Sequence, residues 1–381
     1  MTVVSNVMDN PSAFWVVNSL FVFALSVFCA GVLIPQILLI SFRKRLFDVP
    51  DERKIHQGVV PRLGGIAFKP VVFFSVALAL GLNMLLGYGQ LLGNIGSESR
   101  PLAFGFCTIM MLYLVGMADD LIGIRYRAKF AIQIICGLLV IAGGLWINNL
   151  HGLLFIHALP EWIGYPITLF AVVFIINAIN LIDGIDGLAS GLCGVAMLFY
   201  GLVFFIIGEY IYALLAFATL GVLVPFFYYN VFGDPTKKNK IFMGDTGSLT
   251  IGMMTCILSL KLLNGFPVYP SMQQPNAFFL AYSPLIIPCF DVVRVYLHRV
   301  RNGKNPFLPD KNHIHHKMLA IGMKQRTAMI TIVLISVCFT LCNILLSRYV
   351  DVTLLFMLDI IIWTLGNLWL TRRIRIVRSK L

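Results

Sequence analysis

The sequence of 381 residues has little charge. Asp, Glu, Lys and Arg together make up 12% of it, whereas 59% of the residues are hydrophobic. Soluble globular proteins carry about 25% charged residues, so the composition excludes a soluble domain as the main architecture. The apolar residues form continuous runs, not the alternating segments of about 10 residues that a transmembrane β-barrel needs. The sequence therefore predicts an all-α polytopic integral membrane protein, with residues 1–381 as a single multi-pass domain.

Cysteine pairs are also missing from the sequence. Its eight cysteines all fall in apolar stretches, and no two of them form a Cys-x-x-Cys motif. A buried cysteine packs as a small hydrophobic residue, so we assign no redox or metal chemistry to these positions.

Long apolar runs are what the sequence has in abundance. Runs of about 20 residues predict transmembrane helices, and the sequence holds about eleven of them by that rule. They cover residues 14–41, 64–86, 101–118, 129–148, 161–179, 188–207, 210–229, 246–263, 277–297, 327–346 and 352–370. The first run has no Lys or Arg before it and is longer than a signal-peptide core. It is therefore predicted to be a retained span that enters with the N-terminus outside.

The positions of the basic residues, which give the sequence a net charge of +12, follow this topology. Of the 29 basic residues, 25 fall in or beside alternate connections and the C-terminal tail. Basic residues are retained on the cytoplasmic side of membrane proteins, so nucleic acid is not needed to explain them. The predicted cytoplasmic segments are residues 42–63, 119–129, 180–187, 230–245, 298–326 and the tail 371–381. The protein is thus predicted to lie in a bacterial cell (inner) membrane with its C-terminus in the cytoplasm.

One polar stretch stands between two apolar runs. Residues 177–188 read Asn-Ala-Ile-Asn-Leu-Ile-Asp-Gly-Ile-Asp-Gly-Leu, with oxygen-bearing side chains at Asn177, Asn180, Asp183 and Asp186. In one unbroken helix the first and last of these would face nearly opposite ways. The glycines, Gly184 included, suggest that the helix breaks and lets the oxygen groups converge. Ionisable groups at a membrane are costly and usually functional.

Further acidic clusters end or begin other spans. Asp119 and Asp120 close the third span, and adjacent carboxylates point to different faces of a helix, so at most one is expected to face the common centre. Asp245 precedes small residues that open the eighth span. That arrangement suits a Mg²⁺ ligand beside phosphate-binding N–H groups, with a simple helix cap as the alternative.

Two predicted cytoplasmic loops, one basic and one with histidines, hold the remaining candidate site residues. Lys54 and Arg62 lie in a loop with Gly and Pro that could hold an anion at a helix start. The longest cytoplasmic loop holds three histidines, which lack cysteine partners for zinc and are better suited to hydrogen bonding with an anionic group. They are His313, His315 and His316, beside Arg301 and Asp310.

Together these residues indicate chemistry on phosphates at one membrane face. Hard oxygen ligands select Mg²⁺, with Mn²⁺ as the alternative, and Mg²⁺ is typically held by one or two carboxylates plus substrate phosphates. The predicted reaction is phosphoryl transfer, in which positioning and charge neutralisation do most of the catalysis.

In these motifs the sequence resembles the polyprenyl-phosphate N-acetylhexosamine-1-phosphate transferases, or glycosyltransferase 4 family. The motifs are Asp119-Asp120, residues 177–188, Phe-Met-Gly-Asp-Thr-Gly-Ser-Leu at 242–249 and His-Ile-His-His at 313–316, each behind its expected span. The resemblance implies transfer of a sugar 1-phosphate from a UDP-sugar to a membrane polyprenyl phosphate (undecaprenyl phosphate in bacteria), with release of UMP. Such a step starts a lipid-linked glycan, as in O-antigen, capsule or cell-wall polymer synthesis.

The resemblance also implies roles for the residues. Asp245 would be the principal Mg²⁺ ligand with Asn180 nearby, and Asp183 and Asp186 would line the nucleotide side. Asp119 and Asp120 would lie on the lipid-phosphate side, where Asp119 either orients the phosphate or accepts its residual proton. The remaining candidates contact substrate: the three histidines as catalytic groups, and Lys54, Arg62, Asn177, Gly184, Arg301 and Asp310 as binding groups. A homodimer is implied by the family alone.

The sugar stays open within the family. The His-Ile-His-His form is similar to the GlcNAc-type branch, whereas the MurNAc-pentapeptide branch has an unbroken His triplet followed by Phe-Glu. Relatives in the GlcNAc-type branch accept other N-acetylated sugars, such as FucNAc or QuiNAc derivatives. The predicted sugar is GlcNAc, with FucNAc, QuiNAc and MurNAc-pentapeptide as the alternatives.

The main rival from another class is a transporter or flippase for an anionic solute. Such proteins place ionisable groups near the membrane midplane, on broken helices in paired halves. Here the predicted midplane is nearly bare, with Asp359 and Lys261 as the exceptions, and no repeat is visible. Asp359 is expected to find a partner in a neighbouring helix.

Overall fold

A computed structural model describes residues 11–46, 59–88, 95–265, 276–305 and 312–379 of the protein. Within these ranges the regular structure is helical apart from one isolated bridge between Asn149 and Ala158. The α-helices are α1 (Pro11–Lys44), α2 (Phe68–Leu85), α3 (Ile95–Ile122), α4 (Tyr126–Ala142), α5 (Glu161–Ile182), α6 (Leu188–Ile206), α7 (Tyr210–Val231), α8 (Gly244–Gly265), α9 (Ala277–Tyr282), α10 (Ile286–Arg301), α11 (Ile314–Ala320), α12 (Gln325–Leu346) and α13 (Val352–Arg378). Short 3₁₀ turns are Gly64–Ala67, Leu153–Phe155 and Ser283–Leu285. The predicted all-α membrane architecture is confirmed.

Ten segments of the described chain are helices long and apolar enough to cross a membrane. They match the predicted spans except the fourth, predicted at 129–148. There α4 has 17 residues and gives way to a turn at Gly143 and Gly144, where Gly144 adopts a φ of 92°. At about 1.5 Å per residue α4 is roughly 26 Å long, at the lower limit for a span.

The ninth predicted span is interrupted. We expected one helix over 277–297, but a 3₁₀ turn at Ser283–Leu285 separates α9 from α10. Pro284 lies in that turn, and a proline cannot donate the backbone hydrogen bond that would continue a regular helix. The apolar sequence concealed the break because the residues on both sides remain hydrophobic.

Helix α8 is enclosed by the other helices: its apolar 18-residue window is entirely buried. Its first turn approaches its neighbours through glycines. A Cβ on Gly65 would overlap the backbone of Gly247, and one on Gly116 would lie 2.6 Å from the Cα of Thr246. Only residues without a side chain allow backbones this close. Gly65 therefore lets the 3₁₀ turn at Gly64–Ala67 approach the start of α8, and Gly116 does the same for the end of α3.

At its other end α8 carries an ion-pair cluster. Lys261 Nζ lies 2.8 Å from Glu98 Oε1 and 3.3 Å from Glu209 Oε1. The Tyr212 hydroxyl donates to Glu98 at 2.7 Å. The lysine, noted in the sequence as near a span, is therefore neutralised at the far end of the helix from Asp245.

Asp359 has the neighbouring-helix partner that the sequence led us to expect. Its side chain is buried on α13, and Asn343 on α12 donates to Oδ2 at 2.8 Å. The contact explains how a single carboxyl group is accommodated inside the last span.

Candidate active site

The end of α3 meets the start of α8 through Asp120. Asp120 Oδ1 accepts the backbone N–H of Asp245 at 2.8 Å, and Oδ2 accepts the backbone N–H and the hydroxyl of Thr246 at 2.8 and 2.5 Å. The first N–H groups of a helix lack partners within the helix. Both oxygens of Asp120 are thus engaged with the terminus of α8.

Asp119 reaches the same centre through a lysine. Lys129 Nζ, at the start of α4, lies 3.0 Å from Asp119 Oδ2 and 3.0 Å from Asp245 Oδ2. The expectation that only one of the adjacent acids would face this centre was wrong. Asp120 contacts the backbone of the α8 turn directly, whereas the long side chain of Lys129 connects Asp119 to it.

Asn180 approaches Asp245 from a third helix. Its Nδ2 donates to Asp245 Oδ1 at 2.5 Å and to Ser248 Oγ at 2.8 Å. Asn180 lies in the last turn of α5, which ends at Ile182. The predicted break follows: Gly187 has a φ of 76°, its N–H donates to Asn230 at 2.6 Å, and α6 begins one residue later.

The turn between α5 and α6 holds the two acids of the polar stretch. Asp186 forms an ion pair with Lys240 at 2.6 Å, beside a pocket that Arg326 also lines. Asp183 keeps contact with solvent, but the surrounding protein reduces the hydration of its carboxyl group and raises its pKa to about 7, with the charges of Asp186 and Asp245 adding to the shift. Asp183 therefore holds its proton to a higher pH than an ordinary carboxyl group does.

Two further predicted binding residues lie at the edges of this centre. Asn177 is joined to Gln133 of α4, to whose Oε1 its Nδ2 donates at 2.6 Å, and not to Asp245. The carbonyl of Arg62 lies against Gly244, whose φ of 70° and lack of a Cβ permit the approach. The exposed Arg62 side chain stabilises the charged form of Asp183.

The histidines lie against the turn after α5. His315 is 1% exposed, and a Cβ on Gly184 would overlap its imidazole ring. The rings of His313 and His315 are stacked, with centroids 5.7 Å apart and planes 4° apart, and the His316 ring lies 4.2 Å from that of His315. The structure thus brings the distant His-Ile-His-His segment to Gly184.

His315 is an unusual member of this cluster. Neither ring nitrogen has a hydrogen-bond partner among the described residues. Burial, followed by the neighbouring His316 and His313, lowers the pKa of His315 to about 3. The ring is therefore neutral throughout the physiological range and can offer an unfilled hydrogen-bonding position to a ligand.

Asp291 on α10 is a site residue that sequence reasoning missed. It is fully buried, with Oδ2 2.8 Å from His313 Nδ1. The signal was present, since Asp291 is an ionisable residue inside the predicted span 277–297, where such residues are usually functional. Lys129 was likewise counted only as one basic residue of a cytoplasmic loop.

Three predicted binding residues are not joined to the centre. Arg301 is exposed at the end of α10, and no hydrogen bond or ion pair within the described chain links it to the acidic or histidine clusters. Lys54 and Asp310 lie outside the described residues. For these three the structure adds nothing to the prediction.

The donor set at Asp245 fits a hard divalent cation. Two carboxylates, Asp119 and Asp245, and the amide of Asn180 converge on one point, which the ammonium of Lys129 neutralises. No three His, Cys, Asp or Glu residues of the described chain form a metal-binding group. Mg²⁺ is typically held by one or two carboxylates and takes further oxygen ligands from phosphates.

Comparison with known proteins decides the family. Residues 102–263 match the model of glycosyl transferase family 4. A probable undecaprenyl-phosphate N-acetylglucosaminyl 1-phosphate transferase of Bacillus subtilis is 30% identical over 345 residues, which cover 89% of this chain and 88% of the relative. The chain belongs to glycosyl transferase family 4.

Other members of glycosyl transferase family 4 agree. The undecaprenyl-phosphate alpha-N-acetylglucosaminyl 1-phosphate transferase of Yersinia pestis is 30% identical over 319 residues, covering 81% of this chain and 79% of its own. The enzyme of the same name from Escherichia coli K12 is 31% identical over 296 residues, which cover 76% of this chain and 73% of the relative. The family predicted from the four motifs is confirmed, and the family match itself spans Asp119 to Asp245.

Proposed function

We propose that this protein transfers GlcNAc 1-phosphate from UDP-GlcNAc to undecaprenyl phosphate. The relatives' names give the acceptor and the transferred group. The observation that carries the proposal is that Asp119 and Asp245 converge on Lys129, while Asn180 contacts the other carboxylate oxygen of Asp245. This arrangement brings hard oxygen donors and a cation to one point, as phosphoryl transfer requires.

In this reaction a phosphate oxygen of the lipid attacks the phosphorus that bears the sugar. A new P–O bond forms, the bond to the uridine-bearing phosphate breaks, and UMP leaves. Asp119 orients the lipid phosphate and accepts any residual proton. A strong base is not required, because the second pKa of a phosphomonoester is about 6.

Asp245 and Asn180 would hold Mg²⁺, with Mn²⁺ as the alternative. The metal would neutralise the charge of the diphosphate when bound. Asp183 and Asp186 line the nucleotide side, and the histidines contact the diphosphate or the sugar. The lysine and arginine side chains around this end, Lys240 among them, favour the approach of a polyanionic donor.

The membrane placement belongs to the same proposal. The site end of the bundle collects the basic connections, which supports a cytoplasmic active site in a bacterial inner membrane. The Lys238 ammonium lies 5.8 Å from the Phe42 ring, and Lys317 donates to Thr371, so the C-terminal ends of α1 and α13 lie at this end. The N-terminus of α1 would then face outside. The homodimer stays a prediction.

The test is turnover by the purified protein with undecaprenyl phosphate, Mg²⁺ and a panel of UDP-sugars. The panel contains UDP-GlcNAc, UDP-GalNAc, FucNAc and QuiNAc donors, and UDP-MurNAc-pentapeptide. We expect UMP release with UDP-GlcNAc, complete loss with EDTA, and recovery with Mg²⁺. No UMP from any donor, with or without EDTA, would refute the proposed reaction, and a preference for another donor would replace the sugar alone.

A variant tests the metal assignment. Asp245→Ala is expected to abolish turnover while the protein still elutes as a folded species, because the residue lies at a surface of α8 that is only partly buried. Retained activity in that variant would remove Asp245 from the metal site.

A further inference from the structure

Among the site carboxylates that the structure describes, Asp291 alone lies wholly inside the protein, with 0% exposure. Its Oδ1 accepts from Arg294 Nη2 at 2.7 Å and from the backbone N–H of Ile314 at 3.1 Å. Its Oδ2 lies 2.8 Å from His313 Nδ1. Every oxygen of this buried charge is thus engaged, as stability requires for a charge removed from water.

The contacts of Asp291 form a clamp on the histidine segment. Arg294 Nη2 also donates to the carbonyl of Asn312 at 2.5 Å. Asp291 and Arg294, one helical turn apart on α10, therefore hold three consecutive residues, Asn312 to Ile314, at the start of α11. A carboxylate, a guanidinium and a histidine ring share one buried network.

The clamp also defines the chemistry of the His313 ring. A carboxylate is a hydrogen-bond acceptor only, so the bond to Asp291 requires a proton on Nδ1. The Nε2 atom, on the opposite side of the ring, is then the position left for a ligand.

The orientation of the His313 ring affects the turn on the proposed nucleotide side, through His315. The His313 ring stacks parallel to His315, whose ring fills the space above Gly184. A change in the His313 ring would therefore reach the turn that carries Asp183 and Asp186. Partners behind a functional histidine fix its tautomer and ring orientation in this manner.

We propose that Asp291 is a positioning residue that holds His313 with Nδ1 protonated and Nε2 directed to the diphosphate of the nucleotide sugar. This inference rests on the proposed transferase reaction. It does not place Asp291 in contact with substrate, and it assigns Arg294 the task of neutralising Asp291 and fixing Asn312.

The kinetic test compares Asp291→Asn with a matched control. Asp291→Asn keeps the shape but can present an N–H to Nδ1, which favours the other tautomer. We expect kcat to fall about 10- to 100-fold, with KM for undecaprenyl phosphate unchanged within twofold. The control is Asp359→Asn, a second buried aspartate with an asparagine partner at a distance from the site. Asp359→Asn is expected to keep kcat within twofold of the wild-type value. An Asp291→Asn enzyme with wild-type kcat, or one whose loss equals that of the control, would overturn the inference.

A second measurement does not depend on turnover or on the folding of Asp291→Asn. In wild-type protein labelled with ¹⁵N-histidine, the His313 resonances, assigned by their loss in His313→Gln, should show a protonated Nδ1. A proton on Nε2 alone would refute the proposal. If the wild-type protein releases no UMP from any donor, the proposed transferase reaction is refuted. The protonation of His313 Nδ1 is tested separately, by the spectrum alone.

Discussion

Lys129 and Asp245, on two different helices, lie with Nζ and Oδ2 3.0 Å apart. The same ammonium lies 3.0 Å from Asp119. Two carboxylates that would repel one another are thus held at one point by a single positive charge. The Mg²⁺ proposed for Asp245 would neutralise the same acids, so the lysine and the metal would compete electrostatically.

The competition gives a prediction for Lys129→Met. Removal of the ammonium leaves Asp119 and Asp245 available to the metal. The Mg²⁺ concentration that gives half-maximal thermal stabilisation should therefore fall about tenfold, which corresponds to a gain of roughly 1.4 kcal/mol in binding free energy. Turnover should fall at least about 100-fold, because the site loses a group that positions Asp119. Thermal unfolding across a Mg²⁺ titration measures the first effect, and UMP release measures the second.

Lys129→Arg serves as the control for charge. It should keep the Mg²⁺ midpoint close to that of the wild type while turnover still declines, because the guanidinium has a different shape. An unchanged Mg²⁺ midpoint in Lys129→Met would show that the lysine does not oppose the metal.

Asp120 should affect stability more than its neighbour does. Asp120→Asn retains only one acceptor oxygen for the three donors of the α8 turn, and an unsatisfied donor costs about 1–3 kcal/mol. We expect a clear drop in Tm for Asp120→Asn and a smaller one for Asp119→Asn, with turnover reduced in both. Equal Tm values for the two variants would contradict the capping role of Asp120.

The contact between Gly184 and His315 can be tested by a double-mutant cycle. Gly184→Ala places a methyl group where the His315 ring lies, so turnover should fall about 10- to 100-fold as the ring is displaced. In a His315→Ala background the same change should cost less than about threefold further, because the space is free. Additive losses in the cycle would show that Gly184 acts by another route.

The low pKa of His315, about 3, predicts how stability depends on pH. In the unfolded chain the ring binds a proton below its ordinary value of about 6.5, whereas in the folded protein it stays neutral until about pH 3. Protonation therefore favours unfolding, and stability is lost as the pH falls from about 6.5 towards 3. At pH 5 the cost is about 2 kcal/mol.

The measurement is the Tm at pH 7.5 and at pH 5.0. The decrease should be larger for the wild type than for His315→Gln, in which the titrating ring is absent. Parallel decreases in the two proteins would mean that other groups govern acid sensitivity.

Much of this architecture was accessible from sequence because the bilayer leaves few alternatives. Apolar runs predicted the helices, and the break after Ile182 followed from the glycines beside two acids. The partner of Asp359 was expected on a neighbouring helix, and Asn343 is that partner. These inferences use only local pattern and the cost of polar groups in a membrane.

Contacts between distant segments were the part that local pattern could not supply. Spacing within one helix suggested that Asp119 and Asp120 diverge, but it contained nothing about where α8 begins or how far Lys129 reaches. Asp291 was passed over because its partner, His313, lies 22 residues later in the chain. The interruption at Pro284 was missed because the hydropathy of a segment does not indicate where its helix is interrupted.

The enclosure of α8 has a consequence for the enzyme in living membranes. This helix carries Asp245 at one end and the neutralised Lys261 at the other, and its apolar length contacts protein. Changes in acyl-chain length or fluidity act on the outer helices first and reach Asp245 through them. The helix that carries Asp245 is in this sense shielded by protein from the lipid that surrounds the molecule.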